Sequence, residues 1–265
     1  MSATPPRLSW PIRRLALGAV LLGLVAPATI QAQTDHFNLE EGLPTRVEDA
    51  YPTAFRNREF QVGPQYDRSN GGKDRFLLNP RLEIGPFRNA ELGITVPVFL
   101  GSADKTGSGD IRVDALYNFN TESLALPALA VAARADFPTG IDRRGVDAEF
   151  KLLATRSIGN RLDRLHLNVI YMRAGNPGPG ERRDRYAVIL GYSGRLGPDM
   201  ILVANVLREL ERDKGIESNL VELGVRRQVT PLLVVALGAG AGIGDESPDV
   251  RVTAGLQYTL TLLPF

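Results

Sequence analysis

The 265-residue chain has no cysteine, two histidines and one tryptophan, and almost no net charge, with 31 Lys and Arg against 30 Asp and Glu. Without cysteine there is neither a disulfide framework nor a thiol for lipid attachment. His36 and His166 stand far apart, so no His or Cys cluster has metal-ligand spacing. No metal and no other cofactor is expected. The Arg residues are interleaved with Asp and Glu rather than gathered in a basic tract, which argues against nucleic acid as a partner. Long apolar runs are missing too. No stretch after residue 32 approaches the ~20 apolar residues of a spanning helix, which excludes a helical membrane protein.

The amino-terminal apolar run is of a different kind. Arg7, Arg13 and Arg14 precede the run 15–26, and small residues follow it. A basic start, about a dozen apolar residues and a small-residue exit make a secretory signal peptide. Residues 1–32 are assigned to it, with cleavage after Ala32 and a second small-x-small site at Ala26-Pro27-Ala28. Its removal takes away three Arg and no acid, leaving 28 basic residues against 30 acidic ones.

What is abundant is alternation. In Glu91-Leu92-Gly93-Ile94-Thr95-Val96-Pro97-Val98 every even position is apolar. From Asp110 to Asn120 every odd one is apolar, and the even ones are charged or amide apart from Leu116. The pattern returns from Arg251 to Leu260. Period two marks strands with one apolar and one polar face. Preceded by a secretion signal, and with so charged a polar face, it predicts an all-β protein of outer-membrane type: an antiparallel up-and-down barrel, lipid outside and water inside.

Segment 33–57 lacks alternation and contains Pro44 and Pro52. It is read as a periplasmic amino-terminal segment outside the sheet, ordered at most against the barrel mouth, with 58–265 forming the barrel. Six longer polar interruptions (67–74, 101–109, 138–145, 174–183, 211–216, 244–248) alternate with five shorter ones (86–89, 121–127, 159–163, 196–199, 229–231). Eleven connections predict twelve strands, with ten or fourteen as alternatives. The expected spans are 59–66, 75–85, 90–100, 110–120, 128–137, 146–158, 164–173, 184–195, 200–210, 217–228, 232–242 and 249–261.

Parity assigns the faces. Leu92, Ile94, Val113, Val169, Leu190, Leu223 and Val252 are among those expected to face lipid, with Tyr117, Phe119, Phe137, Tyr171, Tyr186, Tyr192 and Tyr258 in interfacial girdles. The lumen collects Arg81, Glu83, Glu91, Arg112, Asp114, Arg134, Asp136, Glu149, Lys151, His166, Glu222, Arg226 and Arg251 as the wall of a solute path. Their signs nearly balance, which argues against an ion filter built from a ring of one sign. Closing a hairpin through 121–127 sets Asn120 opposite Ala128, Asn118 opposite Ala130, Asp114 opposite Arg134 and Arg112 opposite Asp136. A slip of one residue would put each pair's members on opposite faces. A lone lumen histidine beside Asn168 reads as a wall residue rather than a catalytic base. The run Gly238-Ala239-Gly240-Ala241-Gly242 lacks the Lys-Ser/Thr of a phosphate loop and suits a tightly curved wall.

The last strand carries Thr253, Gly255, Tyr258 and Leu260 in the spacing polar-x-Gly-x-x-aromatic-x-hydrophobic, followed by Phe265. That spacing matches the terminal signal read by the barrel assembly machinery, which makes this machinery an expected partner beside outer-membrane lipid and lipopolysaccharide. Three further stretches, Ala90 to Pro97, Gly107-Ser108-Gly109-Asp110 leading to Tyr117, and Asp136-Phe137-Pro138-Thr139-Gly140, occur in order. With them the region 58–265 resembles the outer-membrane transporter family associated with the meta-pathway of phenol degradation. The resemblance implies a barrel and a link to aromatic compounds, and brings no binding residues with it. The expected function is a non-enzymatic channel for small solutes, aromatic acids or other hydrophobic nutrients among them. The alternatives are a lipid-modifying outer-membrane enzyme and a structural barrel with a closed lumen.

Overall fold

The structure is a computed structural model that describes residues 35–69, 72–101, 106–141, 144–159, 162–244 and 246–260. The expected signal peptide and Phe265 lie outside the described residues. Fourteen strand segments form one antiparallel sheet: β1 (Arg58–Ser69), β2 (Lys73–Phe87), β3 (Ala90–Thr95), β4 (Val98–Gly101), β5 (Gly107–Ser108), β6 (Ile111–Asn120), β7 (Ala128–Phe137), β8 (Asp147–Ile158), β9 (Asp163–Arg173), β10 (Asp184–Arg195), β11 (Met200–Leu210), β12 (Glu217–Thr230), β13 (Leu233–Gly242) and β14 (Pro248–Thr259). Strand β1 pairs with both β2 and β14, so the sheet closes and leaves no edge.

These segments make twelve wall positions, because β3 and β4 together flank β2 on one side, and β5 and β6 pair back onto them. The expected strand 90–100 is thus interrupted, whereas 110–120 forms the continuous β6, with the short β5 set off ahead of it. The former breaks at Val96-Pro97, where proline has no amide for the ladder. Two irregular hydrogen bonds bridge the gaps, Val96 N to Pro80 O at 3.1 Å and Gly109 N to Pro97 O at 2.7 Å. The first polar interruption is tighter than expected, since pairing continues to Ser69 and Lys73. Connections at one mouth are mostly short, and those at the other are longer, up to 138–146 and 174–183.

The hairpin of β6 and β7 has the expected register over most of its length: Arg112 stands opposite Asp136, Asp114 opposite Arg134 and Asn118 opposite Ala130. Asn120, however, meets Leu129 rather than Ala128. Its side chain causes the shift, donating to Pro127 O at 2.8 Å and accepting from Leu129 N at 3.2 Å in place of a ladder bond.

The outer face is apolar, as parity required. Val113 is 42% and Val169 39% exposed, and Tyr117, Phe119, Phe137, Tyr186 and Tyr258 are exposed towards strand ends. An Arg at a lipid-facing mid-bilayer position costs ~2–4 kcal/mol. Val113→Arg is therefore expected to depress the folding yield into liposomes sharply while Val113→Leu keeps it; equal yields would contradict the outward placement.

The apolar core lies inside the barrel. Leu39 and Val47 pack with the inward side chains Ile170, Met172, Ile189, Ile201, Val203, Leu207 and Leu220. Ala50 packs with Leu116, Ala128, Ala130 and Leu153. Residues 35–57 therefore fill the lumen, and the expectation that they stay outside the barrel is corrected. They do remain outside the barrel ladder, forming only an isolated bridge between Glu40 and Leu43.

Candidate functional site

The filling segment is a hairpin plug. It starts at the short-turn mouth, where His36 N donates to Gln228 Oε1 at 3.2 Å, and returns there to join β1 at Arg58. Its two arms are tied where Asp49 N donates to Leu39 O at 3.1 Å and Leu39 N donates to Asp49 Oδ2 at 3.1 Å. Beyond that tie the tip turns through residues 40–46, including the cis Leu43–Pro44 bond.

The inward polar residues predicted from the sequence hold this plug. Glu48 and Asn168 exchange bonds of 3.0 and 2.8 Å. Ala50 N donates to Thr155 Oγ1 at 3.0 Å, and Thr53 N to Glu91 Oε2 at 2.8 Å. Arg46 N donates to Glu222 Oε2 at 2.9 Å. Arg226, fully buried, donates to Leu43 O at 2.6 Å, His36 O at 3.2 Å and Gln257 Oε1 at 2.5 Å. A buried guanidinium is tolerable only when its donors are satisfied, and here two plug carbonyls and the wall residue Gln257 accept from it.

Wall glycines make the room. A Cβ on Gly191 would run into Val47 Cγ2, one on Gly224 would lie 2.5 Å from Pro44 Cγ, and one on Gly238 would lie 2.8 Å from Pro44 O. Gly238, at the head of the small-residue run, thus faces the plug, which adds a reason beyond wall curvature at that position. Gly255 of the carboxy-terminal pattern faces Leu43 in the same way, while Thr253 is buried in the lumen and Tyr258 is exposed outside.

Above the tip a cavity of about 350 Å³ opens towards the longer loops. Glu41, Gly42, Leu43 and Arg46 form its floor. Arg81, Arg112, Arg134, Asp136, Glu149 and Arg251 of the expected lumen set line it, together with Arg75, Arg185, Glu209, Glu211 and Arg212. Glu83, Lys151, His166, Glu222 and Arg226 are instead buried, and Asp114, Glu91 and Glu83 sit around Arg81 beside the plug. The expected continuous wet path is therefore a vestibule with a closed floor.

Pairing in the wall differs from the simplest cross-strand scheme. Arg112 lies 3.6 Å from Asp136, as expected. Asp114 instead takes Arg81 Nη2 at 2.7 Å, and Arg134 bridges Glu149 at 2.8 Å, Asp136 at 3.1 Å and Glu41 at 3.6 Å. Arg is long enough to reach carboxylates on strands other than its direct partner's, so register alone does not choose the pair. Asp67 and Arg251 form a two-pronged pair at 2.7 and 3.1 Å.

The rim of the vestibule is stitched by loop residues. Glu181 accepts from Gly178 N at 2.7 Å, Arg144 Nη1 at 2.5 Å and Arg212 Nε at 3.1 Å, and Arg212 also reaches Asp147 at 3.3 Å. The Gly178 amide, with Arg212 and Arg144, holds the Glu181 carboxyl down to about 2. This crosslink between loops therefore stays charged through mildly acidic conditions.

Two constellations have catalytic or metal-like distances. His166 Nδ1 lies 3.1 Å from Thr155 Oγ1 and His166 Nε2 lies 3.0 Å from Ser193 Oγ, but all three residues are buried between wall and plug and none lines the vestibule. Glu40 of the plug joins Glu83 and Glu91 with carboxylate oxygens within 4.8 Å of one another, a cluster that sequence spacing could not show. Arg81 already supplies a cation there, touching Glu83 and lying 3.1 Å from Glu91.

Sequence reasoning missed Glu41, Arg46, Arg185 and Arg212. The first two were assigned to a segment outside the barrel, and Arg212 lies in a loop. One signal was available. Around Val188-Ile189-Leu190 and Ile201-Leu202-Val203 both parities are apolar, and a strand apolar on both faces needs an apolar neighbour inside the barrel as well as lipid outside.

The closed barrel aligns with an outer membrane channel from Pseudomonas putida F1 at a TM-score of 0.60, over 80% of this chain and 98% of that one, with 12% identity. The fold is that of outer-membrane channels. A NanC porin aligns at 0.59 over 76% of this chain and 100% of that one, with 7% identity. A KdgM porin aligns at 0.52 over 76% and 99%, with 12% identity. At such identities the likeness is one of fold. No family model matches this chain, and no curated protein does. With its apolar exterior, the protein is a bacterial outer-membrane barrel.

Proposed function

We propose that the protein is an outer-membrane channel whose vestibule admits small organic acids from the longer-loop mouth, and whose plug closes the lumen beneath them. The observation that carries this reading is the vestibule itself, a 350 Å³ cavity lined by eight arginines and six carboxylates and floored by the plug tip. Its excess of arginine favours a carboxylate-bearing solute over a purely hydrophobic one. Leu77, Phe99, Met172 and Leu207 give the same cavity an apolar side, so an aromatic acid suits both surfaces. The resemblance to the phenol-degradation family points to the same class of compound. A KdgM porin has been seen with oligogalacturonate, which is likewise an organic acid. The pattern Thr253, Gly255, Tyr258 and Leu260, with Phe265, serves as the assembly signal in this reading.

Planar-bilayer recording tests the proposal. The full-length protein is expected to give small, discrete steps with weak anion preference. Arg134→Ala removes one cation from the lining, so its reversal potential is expected to shift towards cations. Absence of current from both the full-length protein and a form lacking the plug would leave a structural barrel as the better reading.

A further inference from the structure

The plug tip holds one side chain whose surroundings differ from those of every other plug anchor described above. Glu41 faces three cations: Lys151 Nζ at 2.6 Å, Arg46 Nε at 3.2 Å and Arg134 Nη1 at 3.6 Å. It also lines the vestibule, and its side chain is 22% exposed. Glu48 shares Lys151 at 2.6 Å but lies deeper, its side chain 10% exposed and absent from the vestibule wall. A carboxylate set among cations, with an open cavity against it, has the form of a bound ligand supplied by the chain itself.

We propose that Lys151 and Arg134 form a carboxylate-binding site that Glu41 occupies in the closed state, and that the carboxylate of a small organic acid in the vestibule replaces it and loosens the plug tip. The proposal rests on the vestibule being the solute's route.

The exchange conserves charge. One carboxylate arrives as another leaves, so the cations are never bare, and Glu41 takes its new hydration from the vestibule. A neutral solute of the same shape cannot make this trade, because it would leave Lys151 and Arg134 each short of one carboxylate in a partly desolvated place. Arg112 gives the incoming acid an advantage that Glu41 lacks. It lines the same cavity and its ion partner, Asp136, stands 3.6 Å away, so its guanidinium is a further cation for a carboxylate in the vestibule. Loss of Glu41 leaves the tip with the ties of the Arg46 amide to Glu222 and of the Leu43 carbonyl to Arg226. Behind those stand the Glu48 amide on Asn168 and the Ala50 amide on Thr155. Release therefore runs from the tip towards the short-turn mouth.

The test compares benzoate with benzamide, which differ in charge but hardly in shape, on the full-length protein in liposomes at matched ionic strength. Hydrogen exchange at the Glu48 and Ala50 amides is the readout. Benzoate is expected to speed it by about tenfold, the scale of losing one charge-assisted contact, and benzamide to leave it unchanged. Glu41→Gln is expected to show the fast exchange without any ligand and to respond little to benzoate. Equal acceleration by benzamide would overturn the proposal, since charge would not be the trigger. Calorimetric binding of benzoate with no change at the plug amides would overturn the exchange while sparing the vestibule reading. No binding heat and no effect on current would remove both.

Discussion

A chain lacking residues 35–57 is expected to conduct about ten times more than the full-length protein, because a twelve-stranded barrel without its filling lies between the side-chain-filled eight-stranded and the open sixteen-stranded cases. The barrel itself should still close, since the ladders from β14 to β1 and from β1 to β2 contain no plug residue. The loss in stability should nevertheless be large. Leu39, Leu43 and Val47 are buried, and at roughly 1.5–3 kcal/mol for each buried apolar side chain their removal costs on the order of 5 kcal/mol. The wall suffers as well, because Arg226 loses the carbonyls of His36 and Leu43. Single-channel recording and thermal unfolding of the two proteins side by side check both halves of this expectation. Unchanged conductance would mean that the barrier lies in the wall.

Gly191→Val should open the lumen by a different route. The Cβ of any residue there collides with Val47, and overpacking of this kind costs about 1–3 kcal/mol. The wall cannot yield, since Gly191 is paired on both sides, with His166 and with Asn205. The plug can, because it is tied by side chains and a few amides and not by a ladder. The variant is expected to fold with normal electrophoretic mobility, to be cut by protease within 39–50, and to conduct more than the parent. Val47→Ala in the same chain should restore protection and low conductance, a non-additivity that marks direct contact. A barrel that fails to fold, or a second substitution without effect, would show that the glycine serves the wall instead.

Both expectations concern a segment that the sequence placed wrongly, and the reason is physical. Alternation reports only that a residue's two neighbours along the strand face the other way. It put Val113 and Val169 outside and Arg112 and Asn168 inside, and the structure agrees. It could not say what fills the inside. The cue was present in Ile189, Ile201 and Val203, inward residues as apolar as their lipid-facing neighbours, which pack with Leu39 and Val47. The hairpin register was legible for the same reason that alternation was, being local. The ion pairs within it were only half legible. Arg81 comes from β2 to take Asp114 of β6 across Gly93 of β3, the strand between them, a choice that the register of a single hairpin does not make.

By itself, the sequence determined the class of the protein: a closed wall of twelve strands, its lipid face, its lumen face and most of its turns. These follow from side-chain period and turn chemistry, which act over a few residues. The tertiary structure alone decided that 35–57 returns into the lumen, that wall glycines receive Pro44 and Val47, and that Glu41 meets Lys151 and Arg134 beneath a vestibule. Those contacts join residues from about 90 to nearly 200 positions apart, through a cavity that exists only once the sheet has closed, and no local pattern encodes its shape.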